Sequence, residues 1–338
     1  MTARIRASAG AAHARILGLG TYRPARVVTN SEICRRIDSS DEWIRARSGI
    51  RTRRVAGPAE PLLDMAAYAA GKALADSGVL PDQVGCVLVA TSTYLMQTPP
   101  AAPQVAHRLG IAGAGAFDVA AGCAGFCYGL ALAADMIRAG SAGYVVVIGV
   151  ERMSDCVDPT DRSTAFIFGD GAGAVVVGPS ETPGIGPVAW GSDGSGAELI
   201  RQEPTFYELH EDRTVWPAIR MEGMEVFRWA SFRMARVARA ALDAAGVAAA
   251  DLDAFIPHQA NLRITEAMTR ALKLPEHVLV ARDIVEAGNT SAASVPLAME
   301  TMLASGEVRG GGTALLIAFG AGLTYAAQVV RLPAGVAV

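Results

Sequence analysis

The sequence predicts an α/β protein assembled from two similar halves. Short β-branched runs alternate with Ala-rich helical stretches along the 338 residues. One helix–glycine–strand pattern also returns 168 residues further on. Composition agrees: 51% of residues are hydrophobic and only 19% charged, against about a quarter charged in an ordinary domain. The excess lies in Ala, Val, Leu and Gly, which suits thin helices packed closely on sheets, with apolar surface left for a subunit contact.

The elements follow in order. Leu63–Ser77 is Ala-rich and reads as a helix, and the apolar Cys86–Thr91 reads as a strand. Ala124–Ala139 is a second Ala-rich helix, followed by the β-branched strands Tyr144–Gly149 and Ala172–Val177. Later come helix Val226–Ala245, strand Ala254–Pro257, helices Leu262–Leu272 and Ala293–Ala304, and strands Ala314–Phe319 and Ala326–Leu332. The repeat pairs ALADSGVLPDQVGCVLVATS from Ala73 with ALDAAGVAAADLDAFIPHQA from Ala241, so that Gly78 meets Gly246 and Val84 meets Leu252. Two halves, 1–180 and 181–338, would pack about a pseudo-twofold axis, and their strand ends could meet centrally. Residues 150–165 interrupt the first half only and should form a loop or cap over the substrate.

Several function classes are excluded. A formal charge of −3 offers no basic field for nucleic acid or an anionic membrane. Lysine occurs only at Lys72 and Lys273, so local positive charge is Arg. Five cysteines without CxxC or Cys/His spacing argue against a disulfide framework or a metal site, and for a reducing compartment. No apolar run nears the ~20 residues that span a bilayer, and the Arg/Ala-rich start has no signal-peptide core. A cytoplasmic location is expected.

Cys123 opens a helical run in AAGCAGFCYGLALAADMI, where free N–H groups and the helix dipole favour thiolate and should lower its pKa. Its neighbours Gly122, Ala124 and Gly125 leave room for an acyl group. Cys34, Cys86, Cys127 and Cys156 read as structural. His258 follows strand AFIP, and Asn289 stands ahead of a helix in AGNTSAAS. Through the repeat, both should converge with Cys123 near the pseudo-axis. His13, His107, His210 and His277 read as structural. GLGTYR from Gly18 lacks the last glycine of a dinucleotide fingerprint, and FGDGAG from Phe168 enters a strand, so neither supports a nucleotide cofactor.

At these residues the sequence resembles the β-ketoacyl-ACP synthase III family, from about Ile16 to Leu332. The resemblance rests on SSDEWIRARSGIRTRR at 39–54, DVAAGCAGF at 118–126, DPTDRSTAFIFGDGAG at 158–173, PHQANLRI at 257–264 and GNTSAASVPLA at 288–298. It implies the duplicated thiolase-like fold in five α-β-α-β-α layers, and a homodimer. It also implies a decarboxylating Claisen condensation without a cofactor. Cys123 would take an acyl group from acyl-CoA, with backbone N–H groups of Cys123 and Ala321 holding the oxyanion. His258 and Asn289 would stabilise the enolate formed from malonyl-ACP as carbon dioxide leaves.

The same resemblance implies that Trp43 and Arg162 sandwich the CoA adenine and that Arg47 contacts phosphate. Gly223 and Asn261 would add CoA contacts. Arg228, Arg263 and Arg270 would recognise the acidic carrier protein, the last two on one helix face. Three positions depart from the pattern. Met224 replaces an Asn common in MxGNEVF, Gly122 stands where Ala is usual, and Thr98 occupies a position where acetyl-using members carry Phe. Thr98 would face the primer pocket of the partner subunit and favour a primer longer or more branched than acetyl. Such a pocket suits the priming of an aromatic polyketide as well as branched fatty acid initiation.

Other readings make different demands. A thiolase would need a late second Cys, and none follows Cys156; an elongating synthase would need a second His, and none follows His277. A cysteine α/β-hydrolase would need neither the repeat nor Asn289. A thiolase-fold acyltransferase that moves the acyl group to an alcohol or amine stays open, as does a non-catalytic relative.

Overall fold

The computed structural model describes residues 5–211 and 214–334, so residues 1 and 338, the outer limits of the two expected halves, lie outside the described residues. Two five-stranded sheets share one plan. The first runs His13–Tyr22, Asp170–Ser180, Val145–Arg152, Cys86–Ala90, Gly115–Val119, and the second runs Ala189–Gly191, Thr324–Arg331, Thr313–Gly320, Ala254–Pro257, Leu279–Val280. In each sheet the second strand is antiparallel to both neighbours, and the third, fourth and fifth are parallel. Strand starts Cys86 and Ala254, and Val145 and Thr313, keep the spacing of the sequence repeat.

Packing gives five layers. Helices Leu62–Ser77 and Ala101–Arg108 cover the outer face of the first sheet, and Gly223–Ala245 and Leu262–Leu272 that of the second. Between the sheets lie Gly125–Ala139 and Ser294–Ala304, in one core with side chains from both sheets. This is the α-β-α-β-α architecture of the thiolase-like fold. Because both faces of the central strands are covered, Val145–Val150 is a continuous apolar run rather than an alternating one. The central helices bury residues around their whole circumference, as a helix enclosed by two sheets must. Leu130 is fully buried there, and truncating it to Ala should cost about 2–5 kcal/mol.

Glycines set the close approaches. A Cβ at Gly149 would lie 2.3 Å from the Ala292 carbonyl oxygen, and one at Gly173 would lie 2.7 Å from Pro296. Gly18 and Gly20 likewise let helix Leu62–Ser77 press on strand His13–Tyr22, which accounts for the GLG run without any nucleotide.

The structure adds elements that periodicity left out. His13–Tyr22 and Gly115–Val119 are sheet edges, one rich in glycine and the other largely exposed, so neither carries a long apolar run. The antiparallel pair Arg26–Thr29/Thr52–Val55 and the short helix Asp41–Ser48 between them form a subdomain beside the insertion. The buried Arg53 ties them together by donating to Val28 O, Asn30 Oδ1 and Phe166 O. The first-half strand runs on through Glu151 and Arg152 before the insertion turns.

Candidate active site

Cys123 lies in the one-turn helix Gly122–Ala124, immediately before the central helix Gly125–Ala139. Gly122 has φ +52°, and a Cβ there would stand 3.0 Å from Ala321 N. On the facing turn, a Cβ at Gly320 would come within 2.5 Å of Cys123 N. The N–H groups of Cys123 and Ala321 are thus adjacent, each near the start of a 3₁₀ turn, where no acceptor lies one turn back. Thr324 Oγ1 spans the two turns, 2.9 Å from Ala121 O and 3.1 Å from Ala321 O.

His258 leaves the end of strand Ala254–Pro257, with its own N–H donated to Ile317 O at 2.7 Å. Its Nδ1 lies 2.7 Å from Ser294 Oγ, and Phe319 packs edge-on at 5.3 Å. Ser294 Oγ also accepts from Gln259 N, so its hydrogen is available to Nδ1. With that hydroxyl donating to Nδ1, the ring carries its proton on Nε2. Burial pushes the His258 pKa down to about 3, which keeps the ring neutral.

Asn289 forms an isolated parallel bridge with Phe168. Its N–H donates to Ile167 O, and its carbonyl accepts from Gly169 N. Side-chain Oδ1 accepts the backbone N–H of Ser291 at 2.8 Å, which directs the NH₂ group away as a donor. Turn Ser291–Ala293 packs against turn Gly122–Ala124. Segment 289–294 therefore gathers the three residues: Asn289 itself, Ser291 against Cys123, and Ser294 on His258.

The electrostatics correct one expectation. Burial raises the Cys123 pKa to about 11, outweighing the lowering by the Ser291 hydroxyl, and the charge of Glu151 raises it further. Desolvation is the largest cause, so burial favours the thiol over the thiolate here.

Helix Asp41–Ser48, capped by Ser40, carries Trp43 and Arg47 and packs on helix Leu262–Leu272. The Arg162 guanidinium stacks on Trp43 at 4.7 Å, so the expected adenine sandwich is closed in this structure. Arg220 pairs with Asp158 and Asp161 and anchors the Arg162 loop. Asn261 differs from expectation in its bonding: its Oδ1 caps Arg263 N and its Nδ2 donates to Arg47 O, so its amide already serves the scaffold. Gly223 and Met224 begin a long helix and are exposed, as are Arg228, Arg263, Arg270 and Thr98. Arg263 lies over Phe227 at 5.1 Å.

Sequence reasoning missed Ser291, Ser294 and Glu151. The serines sit inside the GNTSAAS motif beside Asn289, and Glu151 is the first charge after an apolar run, ahead of Arg152, a pattern that could have drawn notice. It also missed Arg233 and Arg236, which line a surface groove with Arg228, Trp229 and Phe232.

Comparison with known proteins gives consistent results. The family model described as 3-Oxoacyl-[acyl-carrier-protein (ACP)] synthase III matches residues 117–194, and its C-terminal counterpart matches 242–332. The chain is 58% identical to beta-ketoacyl-[acyl-carrier-protein] synthase III 1 of Streptomyces coelicolor, over 98% of this chain and 99% of that protein. It is 52% identical to the mycobacterial beta-ketoacyl-[acyl-carrier-protein] synthase III of Mycobacterium avium, again over 98% and 99%. Among solved structures, the priming β-ketosynthase of the R1128 polyketide biosynthetic pathway superposes with TM-score 0.95 and 48% identity, covering 99% and 100% of the two chains. The 3-oxoacyl-[acyl-carrier-protein] synthase III of Aquifex aeolicus gives TM-score 0.87 and 39% identity, over 94% and 99%. Among the described residues no helix is long and apolar enough to cross a membrane.

Proposed function

Because this chain belongs to the β-ketoacyl-[acyl-carrier-protein] synthase III family and condenses an acyl-CoA primer with malonyl-ACP, we propose that Cys123, His258 and Asn289 divide the two half-reactions between them. The Cys123 sulfur attacks the thioester carbonyl, and the N–H groups of Cys123 and Ala321 receive the developing oxyanion. CoA leaves and the acyl group remains on sulfur. Malonyl-ACP then loses carbon dioxide, and the enolate oxygen accepts hydrogen bonds from His258 Nε2–H and the Asn289 NH₂ group. The carbanion attacks the acyl-cysteine and expels the sulfur, releasing 3-oxoacyl-ACP.

The observation that carries this reading is the pair of hydrogen bonds that orient the donors, Ser294 on His258 and Ser291 N–H on Asn289. A neutral imidazole with its proton on Nε2 can donate to an enolate without protonating its carbon. A stepwise assay tests the assignment. Mass spectrometry after acyl-CoA should find the adduct on Cys123. Asn289→Ala should keep that adduct yet lose about 10²–10³ in condensation rate. An adduct elsewhere, or transfer of the acyl group to an alcohol or amine without carbon dioxide release, would overturn the assignment.

In this reading the enzyme is an acyltransferase that uses acyl-CoA as substrate and no cofactor, in the cytoplasm. Trp43, Arg47 and Arg162 receive CoA, with Arg162 swinging off Trp43 to admit the adenine. The exposed edge strand Gly115–Val119, with Phe117, and the exposed Leu95 and Met96 support a homodimer. Such a contact would carry Thr98 toward the primer pocket of the partner. Arg228, Phe232 and Arg236 share one face of helix Gly223–Ala245 at fourfold spacing and, with Arg263 and Arg270, suit an acidic carrier protein.

A further inference from the structure

Glu151 has no part in the steps above, yet its carboxylate is fully buried behind the nucleophile. It accepts from Ser92 N at 3.0 Å, Thr91 Oγ1 at 3.2 Å, Thr93 Oγ1 at 2.6 Å and Ser291 Oγ at 2.8 Å. The Thr91 hydroxyl oxygen already accepts Thr93 N–H and the Thr93 hydroxyl oxygen accepts Arg152 N–H, so both hydrogens are turned to the carboxylate. Four donors aimed at one group favour its ionised form, against the burial that pushes its pKa up. A buried carboxylate balanced by hydroxyls instead of a cation is costly unless its charge is used.

Ser291 links this charge to the nucleophile. It is held at φ +48°, outside the ordinary range for serine, by its N–H bond to Asn289. Its hydroxyl touches Cys123 on one side and Glu151 on the other. A hydroxyl has one hydrogen, so it cannot donate to a thiolate and a carboxylate together.

We propose that Glu151 is the general base for Cys123, acting through Ser291. As the sulfur attacks the acyl-CoA carbonyl, the Cys123 S–H proton passes to Ser291 Oγ while the Ser291 proton passes to Glu151. The S–H bond breaks, the S–C bond forms, and one negative charge moves from Glu151 to the thioester oxygen held by the Cys123 and Ala321 N–H groups. CoA departs as a thiolate and takes a proton from solvent. When the carbanion later expels the Cys123 sulfur, Glu151 returns its proton through Ser291. The cycle consumes one proton, as the overall condensation requires.

The relay removes the conflict between a nucleophile and a thiol whose pKa lies near 11, because no resting thiolate is needed. Burial also raises the Glu151 pKa and so its basicity. The ionisable groups that feel Glu151 are Cys123 and, from the insertion, Cys156.

The inference rests on Cys123 being the acylated residue, and single-turnover acylation separates the two claims. If the wild-type enzyme forms no Cys123 adduct, the site assignment itself fails. If it does, Glu151→Gln should acylate at least about 100-fold more slowly at neutral pH. The variant's rate should climb roughly tenfold per pH unit from about pH 7 to about pH 9, where the wild type stays flat. Ser291→Ala leaves the Thr91, Ser92 and Thr93 bonds to Glu151 in place and should reproduce both changes. It carries the test alone if the Gln variant does not fold. The double variant should be no slower than either single one, as for groups acting as a unit. Wild-type rates in the variants, or a loss by one constant factor at every pH, would overturn the relay.

Discussion

The Ser294 hydroxyl oxygen lies 2.7 Å from Nδ1 of His258 and 3.3 Å from the backbone nitrogen of Gln259. The N–H takes one acceptor site of the hydroxyl and leaves its hydrogen free for the imidazole; with that hydrogen on Nδ1 the ring proton belongs on Nε2. The His258 tautomer then depends on a serine at the start of helix Ser294–Ala304. Ser294→Ala frees the ring to take either tautomer. Condensation should fall about 10- to 100-fold while Cys123 acylation stays near wild type, as read by separate acylation and carbon dioxide release assays.

His258 also predicts how stability follows pH. Its folded pKa of about 3 lies below the ordinary value of 6.5, so the unfolded chain binds the proton more readily. This contribution is fully present above about pH 6.5 and is lost as pH falls toward about 3. His258→Gln should flatten the acid side of the melting-temperature profile relative to wild type between those limits. Equal acid sensitivity in the two proteins would contradict the burial argument.

Alkylation of Cys123 should be slow at neutral pH. With its pKa raised to about 11 and the Glu151 relay cut by Ser291→Ala, the rate with iodoacetamide should go on rising beyond pH 9 instead of levelling near pH 7. Peptide mapping separates Cys123 from Cys127, which is fully buried in the central layer and raised to about 12.

The stacked pair Arg162 and Trp43 makes a binding prediction. Arg162→Ala and Trp43→Ala each remove one face of the expected adenine slot, about 1–2 kcal/mol of cation–π and stacking contact. The KM for acyl-CoA should rise about 10-fold with kcat little changed. A fall in kcat alone would mean that these residues reach the reacting atoms instead.

Thr98 sits in an exposed loop with Leu95 and Met96. If that loop lines the primer pocket of a partner subunit, Thr98→Phe should shift preference among acyl-CoA primers toward acetyl. The change expected is about 10-fold or more in relative kcat/KM for branched against acetyl primers. An unaltered primer profile would remove Thr98 from the pocket.

Much of the architecture was readable before folding. Helix Leu262–Leu272 and strand Ala254–Pro257 occur at the residues periodicity assigned, and the other central elements differ only by a few residues at their ends. Edge strands escaped because a glycine-rich or half-exposed edge need not be apolar, as His13–Tyr22 and Gly115–Val119 illustrate. In the site, Cys123, His258 and Asn289 stood out by residue type and by place at element ends. Ser291, Ser294 and Glu151 did not, since serines and a lone glutamate are common and gain meaning only from what they touch.

By itself the sequence determined the α/β alternation, the duplication and the identities of the reactive side chains, because those follow from local patterning along the chain. Tertiary structure alone decided their states. The raised Cys123 pKa, the lowered His258 pKa and the hydroxyls gathered on the buried Glu151 carboxyl all depend on groups distant in sequence. Burial and hydrogen bonding shift protons through space, and a linear pattern carries no record of which atoms will lie within 3 Å of one another.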